Sequence, residues 1–166
     1  MDNFTDRPSR QNRDIQRFAI EDLASQLTEE WTQGKFSAEK WKDVLTWAQI
    51  FRNGGRSGYD LAKEIEPKLL AEPDSYLVEI LEGACHHLDN IHTNAVKQWV
   101  KFHQHRLSRQ LGDYVKTPWG VGKITELLPE TAVYIVTPDN DPRYRQGGGW
   151  VLEAERCTTP EPNNNA

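Results

Sequence analysis

The chain contains no apolar run approaching the ~20 residues of a membrane-spanning helix, and Met1 to Pro8 lack the apolar core of a signal peptide. Cysteine is scarce. Cys85 and Cys157 stand in different segments, which leaves neither a disulfide framework nor a paired-cysteine zinc spacing. There is no His-Glu-x-x-His helix and no Gly-x-Ser-x-Gly elbow. Positive charge is in deficit too. With 20 Lys and Arg against 25 Asp and Glu the formal net charge is -5, so any nucleic-acid role must come from a local patch. These absences lead to the expectation of a cytoplasmic protein with no membrane segment, no cofactor and no metal.

What is present is core material. Among 166 residues, six Trp, five Tyr and five Phe accompany a 37% hydrophobic content, enough for one compact domain or two small ones. Residues 1–13 hold only Phe4 as a large apolar group and read as a flexible arm.

From residue 14 the apolar spacing is helical. Asp14 is a plausible N-cap for Ile15, Phe18, Ala19, Leu23, Leu27 and Trp31, with Gly34 as the stop. Ser37 caps a second helix carrying Trp41, Val44, Leu45, Ala48 and Phe51 on one face. The glycine-rich stretch Arg52–Gly58 follows a helix and lacks the Lys-Ser/Thr pair of a phosphate-binding loop, so a C-cap and turn is the better account. Tyr59, Ala62, Ile65, Leu69 and Leu70 predict a third helix kinked or broken at Pro67. Asp74 or Ser75 caps what comes next. Leu77, Leu81, Ala84, Leu88, Ile91, Ala95, Trp99 and Phe102 hold helical phase, which predicts one long helix to about Gln110; a break near residues 89–94 is the alternative.

Beyond Gly112 the pattern changes to short apolar blocks punctuated by Gly, Pro and Asp. Asp113–Thr117, Val121–Leu128, Thr131–Thr137 and Trp150–Cys157 read as strands, with a long loop over residues 139–149. Within it, Gly112-Asp-x-Val115-x-Thr-Pro-x-Gly120-x-Gly122-x-Ile124 resembles the opening hairpin of SH3-like small β-barrels of the KOW and Tudor type. There a Gly-x-Gly turn supplies the positive φ that a sharp hairpin needs. The resemblance covers residues 112–157 and implies a barrel of about five short strands, a fold that binds DNA, RNA, peptides and protein surfaces alike. The helical part resembles no family.

The resulting expectation is an α+β chain: a flexible arm over 1–13, a helical bundle over 14–111, an SH3-like barrel over 112–157 and a disordered tail over 158–166.

Candidate chemistry is sparse. Cys85, His92 and His103 share a helical sector, but spacings of seven and eleven residues set them ~10 and ~16 Å apart along the axis, too far for one ion. No nucleophile–base pair is legible, so the chain reads as a non-enzyme, with metal-dependent activity through the His-rich helix as the distant alternative. A basic stretch is more informative. Between Asp89 and Asp113 there is no acidic residue, while Lys97, Lys101, Arg106 and Arg109 supply four positive charges, with Lys97, Lys101 and Arg109 on one face if the helix continues. Such a patch neutralises phosphates, meets an acidic protein surface, or is satisfied within the fold. In the barrel, Trp119 and Tyr144 fall in turns, with Arg143 and Arg145 flanking Tyr144, and suit a recognition surface; Tyr134 and Trp150 are expected to fill the core. The favoured reading is a non-catalytic binding or adaptor protein that contacts a protein partner through Lys97, Lys101, Arg106, Arg109, Trp119, Arg143, Tyr144 and Arg145. A DNA- or RNA-associated protein using the basic patch is the alternative. Oligomeric state has no sequence signal.

Overall fold

The structure, a computed structural model, describes residues 4–33, 35–51, 56–69, 71–103, 107–138, 141–144 and 148–160. It is an α+β chain: helices first, then a curled four-stranded antiparallel sheet. The chain divides into two compact units, residues 1–95 and 96–166, with the division inside the last helix.

In the first unit, α1 (Arg13–Glu30) starts from Asn12, whose side-chain oxygen accepts from the Asp14 and Ile15 amides. The cap is therefore Asn12 rather than Asp14. Both residue types accept such bonds, and the extended backbone at Asn12 selects it. The helix ends at Glu30, before Trp31. Gly34 lies outside the described residues. Ser37 caps α2 (Ala38–Trp47) through the Lys40 amide, and Glu39 sits in its positive first turn. The end of α2 is capped by a side chain: Arg56 Nη2 donates to the carbonyls of Ala48 and Gln49 at 3.1 Å each, and Nη1 pairs with Glu64. Residues 52–55 of the glycine-rich stretch are outside the described set. A reciprocal Ser57–Asp60 capping box opens α3 (Gly58–Ile65), which tightens into a 3-10 turn, Glu66–Lys68, at Pro67.

Asp74 caps α4 (Ser75–Glu82) through the Leu77 amide at 2.8 Å. The same carboxylate accepts from Trp31 Nε1 at 3.0 Å, so one side chain ties the end of α1 to the start of α4. The single long helix of the sequence reading is in fact two, α4 and α5 (Ala84–Phe102), interrupted at Gly83 and not near residues 89–94. Because the helix resumes at once, the apolar phase survives the break. Leu23, Leu27, Trp31, Trp41, Leu45, Ile65, Leu77 and Leu81 form the main core, with Trp31 and Phe36 edge-on to Trp41. A smaller cluster joins Ile15 and Ala19 of α1 to Leu88 and Ala95 of α5. Fully burying each such aliphatic side chain is worth ~1.5–3 kcal/mol.

The described part of the amino-terminal arm, read from the sequence as flexible, makes contacts with the helices. Phe4 joins the smaller cluster, Arg10 pairs with Asp89 at 2.5 Å, and His92 Nε2 lies 3.2 Å from the Pro8 carbonyl. Those contacts come from α5, which no local pattern in residues 4–13 reveals.

In the second unit, β1 (Tyr114–Thr117), β2 (Gly120–Leu128), β3 (Val133–Pro138) and β4 (Trp150–Glu153) form one meander in the order β1-β2-β3-β4. A register shift between Ile124 and Glu126 bends β2. Val115, Ile124, Tyr134, Val136 and Leu152 fill the concave side. After a 3-10 turn, Ala154–Arg156, Thr158 returns to pair with Lys116 of β1 through two backbone hydrogen bonds of 2.9 and 3.1 Å. Thr158, placed in the tail by the sequence, is thus bridged to β1; residues 161–166 are outside the described set.

Two glycines explain the hairpin. Gly120 has φ +138°, a conformation that side chains disfavour. At Gly122 an added Cβ would lie 2.7 Å from Val136 Cγ1 and 2.8 Å from the Thr137 carbonyl, so β3 approaches closely only because no side chain is there.

Candidate recognition site

The β1–β2 turn is fixed by a buried hydroxyl. Thr117 Oγ1 accepts from the Trp119 amide at 3.1 Å and donates to the Gly120 carbonyl at 2.8 Å. With its backbone held this way, Trp119 presents its ring outward at 60% exposure. The ring meets Trp150 edge-on, centroids 5.8 Å apart at 61°, and Trp150 meets Tyr144 at 6.5 Å and 75°. Three aromatic side chains from the turn, the strand start and the 139–149 loop therefore converge at one end of the sheet.

Trp150 is the residue whose role differs from expectation. It packs partly on the core but remains half-buried, because its ring lies at the end of the sheet between Trp119 and Tyr144. Tyr134 does fill the core, and its phenolic oxygen accepts from the Arg109 amide at 3.1 Å.

Beside the rings, Arg143 is held by Asp141 in a two-point ion pair, Nε to Oδ1 at 2.9 Å and Nη2 to Oδ2 at 2.5 Å, and its guanidinium lies 5.8 Å from the Tyr144 ring centre. Hydrogen bonds from the Arg143 side chain, then from its backbone amide, hold the Asp141 carboxyl below the usual carboxylate range. Arg145 is outside the described residues.

Of the cations in the basic stretch, Lys97 and Arg109 have partners within the fold. Lys97 pairs with Glu130 at 2.6 Å, and its ammonium keeps the Glu130 carboxyl below the ordinary range. Lys101 is exposed. Because α5 ends at Phe102, Arg109 is not on the helical face of Lys97 and Lys101; it is half-buried and donates to Thr159 Oγ1 at 2.8 Å. Arg106 lies outside the described residues. The structure thus brings Trp119, Arg143 and Tyr144 together with Trp150.

Among the described residues no group of three or more His, Cys, Asp or Glu side chains is arranged to hold a metal ion, and no helix is long and apolar enough to cross a membrane. Burial raises the Cys157 thiol above its ordinary value, partly offset by Arg109, so it is a poor nucleophile at neutral pH. No protein family, curated protein or solved structure matches the chain.

Proposed function

We propose that this chain is a non-catalytic binding protein whose sheet unit is an SH3-like small barrel that recognises a protein partner. The observation that carries the reading is the Trp119–Trp150–Tyr144 cluster. It offers rigid aromatic area, one ring mostly exposed, beside an arginine whose orientation is fixed in advance by Asp141. Such groups anchor protein interfaces because they bury much area while losing few rotamers. The barrel assignment is supported by the pairing of Thr158 with Lys116, which supplies the fifth strand position of a small barrel. Nucleic-acid binding is the weaker alternative, since Lys97 and Arg109, two of its four cations, already have partners within the fold.

The test is parallel affinity capture with the wild-type chain and with Trp119→Ala and Tyr144→Ala. Each retained protein is then purified and its binding measured by calorimetry. Retention of one protein that both substitutions weaken about tenfold or more supports the reading. It fails if binding is unchanged by these substitutions. It also fails if labelled duplex or single-stranded nucleic acid binds with a steep salt dependence that Lys101→Glu, and not Trp119→Ala, removes.

A further inference from the structure

The amino-terminal arm is seated against α1 and α5 at three points. Phe4 packs on the cluster formed by Ile15 and Ala19 of α1 with Leu88 and Ala95 of α5. Pro8 is buried, and its carbonyl, which can only accept, takes a hydrogen bond from His92 Nε2 at 3.2 Å. Arg10 pairs with Asp89 at 2.5 Å. Asp89 and His92 stand three residues apart and share one face of α5. Pro8 meets the later of the two and Arg10 the earlier, so the arm runs antiparallel to the helix. A turn closed by the Asn12 amide on the Ser9 carbonyl at 3.0 Å joins the arm to α1.

The rest of the arm lies mostly at the surface. Thr5, Asp6, Ser9, Arg10 and Gln11 are exposed. A cavity of about 390 Å³ is lined by Arg10 and Gln11 on the arm and by Phe51, Cys85 and Leu88 on the helical side. A second, of about 380 Å³, lies between the Phe4–Arg7 stretch and the start of α1. The Arg10–Asp89 pair is about half-exposed on both sides, which makes it a weak latch. A segment with so few buried contacts opens at lower free energy than the core beneath it.

We propose that residues 4–10 are the intramolecular occupant of a docking groove between α1 and α5. When the arm lifts away about the Ser9–Asn12 turn, the groove receives an extended segment of a partner protein with the same three anchors. These are an aromatic residue, a proline four positions later and a cation two positions beyond that. The partner's chemistry is read from the arm, whose Phe4, Pro8 and Arg10 show what each part of the groove accepts. The ring fills the apolar seam, the proline carbonyl meets His92 and the cation meets Asp89. Proline suits the middle position because it is buried without leaving a backbone donor unpaired. A tethered competitor acts at an effective concentration on the order of millimolar, so the arm keeps out weaker ligands. This groove belongs to the helical unit and is separate from the aromatic cluster of the sheet unit.

The probe is a peptide copying Phe4–Asn12 with blocked ends, titrated into the isotope-labelled full chain and followed by amide chemical shifts. The Phe4→Ser/Arg10→Ala chain keeps the groove and loses two of the arm's anchors. In it the peptide is expected to shift the Asp89 and His92 amides and to bind at least about tenfold more tightly than to the wild type. The same peptide with Phe4→Ser does not bind. Adding Asp89→Lys to that chain weakens the peptide about threefold or more, and Arg10→Glu in the peptide recovers the loss, which a general structural effect of the substitution would not allow. Circular dichroism checks that each chain stays folded. In the wild type, the Asn12 amide is expected to exchange at least about a hundredfold faster than that of Leu23, because the arm opens while the core stays closed. The proposal is overturned if the peptide binds both chains equally, if it binds neither, or if the Asn12 and Leu23 amides exchange together. Self-association that grows with concentration and is lost in the Phe4→Ser/Arg10→Ala chain would replace the partner with the arm of a second copy. Trp119→Ala leaves peptide binding unchanged, so the groove and the sheet-unit reading stand or fall separately.

Discussion

Trp31 and Trp41 of the first unit are placed in the opposite way to Trp119 and Trp150 of the second; Trp47 of the first is half-exposed and Trp99 of the second is buried. In the helical unit Trp31 and Trp41 are sealed in the core, edge to face, with the Trp31 indole hydrogen-bonded to the cap of another helix. In the sheet unit Trp119 stands out of a turn and Trp150 spans from the core to the surface. Rings of the first kind account for stability. A ring held exposed by a buried threonine contributes little to folding, and its area is available to a partner. Ring burial and backbone anchoring, taken together, separate the rings that hold the fold, Trp31 and Trp41, from Trp119, which is left open to solvent.

The largest effect belongs to Trp41→Ala, expected to cost about 3–5 kcal/mol in chemical denaturation, while Trp119→Ala changes stability by no more than about 0.5 kcal/mol. Equal losses would mean that Trp119 is a structural ring after all. Next, Asp74→Ala removes the α4 cap and leaves the Trp31 indole unpaired, a loss of about 2 kcal/mol by the same measurement; Asp74→Asn, which can still accept, recovers most of it. In the sheet unit, Tyr134→Phe leaves the Arg109 amide without its acceptor and costs about 1 kcal/mol.

Smaller still is the pH response of the exposed Asp141–Arg143 pair. The folded carboxyl titrates below its unfolded value, so whatever the pair contributes is present above the ordinary carboxylate range and lost as the pH falls through the folded value. Carboxyl-carbon NMR should show Asp141 titrating low in the wild type and returning to the ordinary range in Arg143→Ala. Finally, a thiol reagent at neutral pH should modify the exposed Cys85 before Cys157, whose thiol is partly buried and raised. The reverse order would place Cys157 in a more open setting than the sheet gives it.

Much of the fold was legible because its signals are local. Ser37 and Asp74 identify helix starts through side-chain acceptors that act within three residues. Pro67 has no amide hydrogen with which to continue α3, which gives way there to a 3-10 turn. The hairpin glycines announce a turn, although only Gly120 uses a positive φ and Gly122 serves close approach instead. Gly83 escaped notice because a one-residue interruption leaves apolar periodicity in phase. The candidate site was half legible. Trp119 and Tyr144 were identifiable as turn aromatics, but Trp150 read as core, since strand position predicts which way a ring points and not how near the sheet's end it lies. One signal was available: Trp150 directly follows three consecutive glycines, where a strand is only beginning.

By itself, then, the sequence determined the succession of helices and strands, their main caps and the absence of a metal-type ligand spacing, all of which depend on residues a few positions apart. Tertiary structure decided the rest. It paired Lys97 with Glu130 and Arg109 with Thr159, brought Thr158 to Lys116 and joined three aromatic rings from separate segments. Each of these depends on which distant side chain arrives within a few ångströms, and that is set by how the strands curl and pack, which no local pattern encodes.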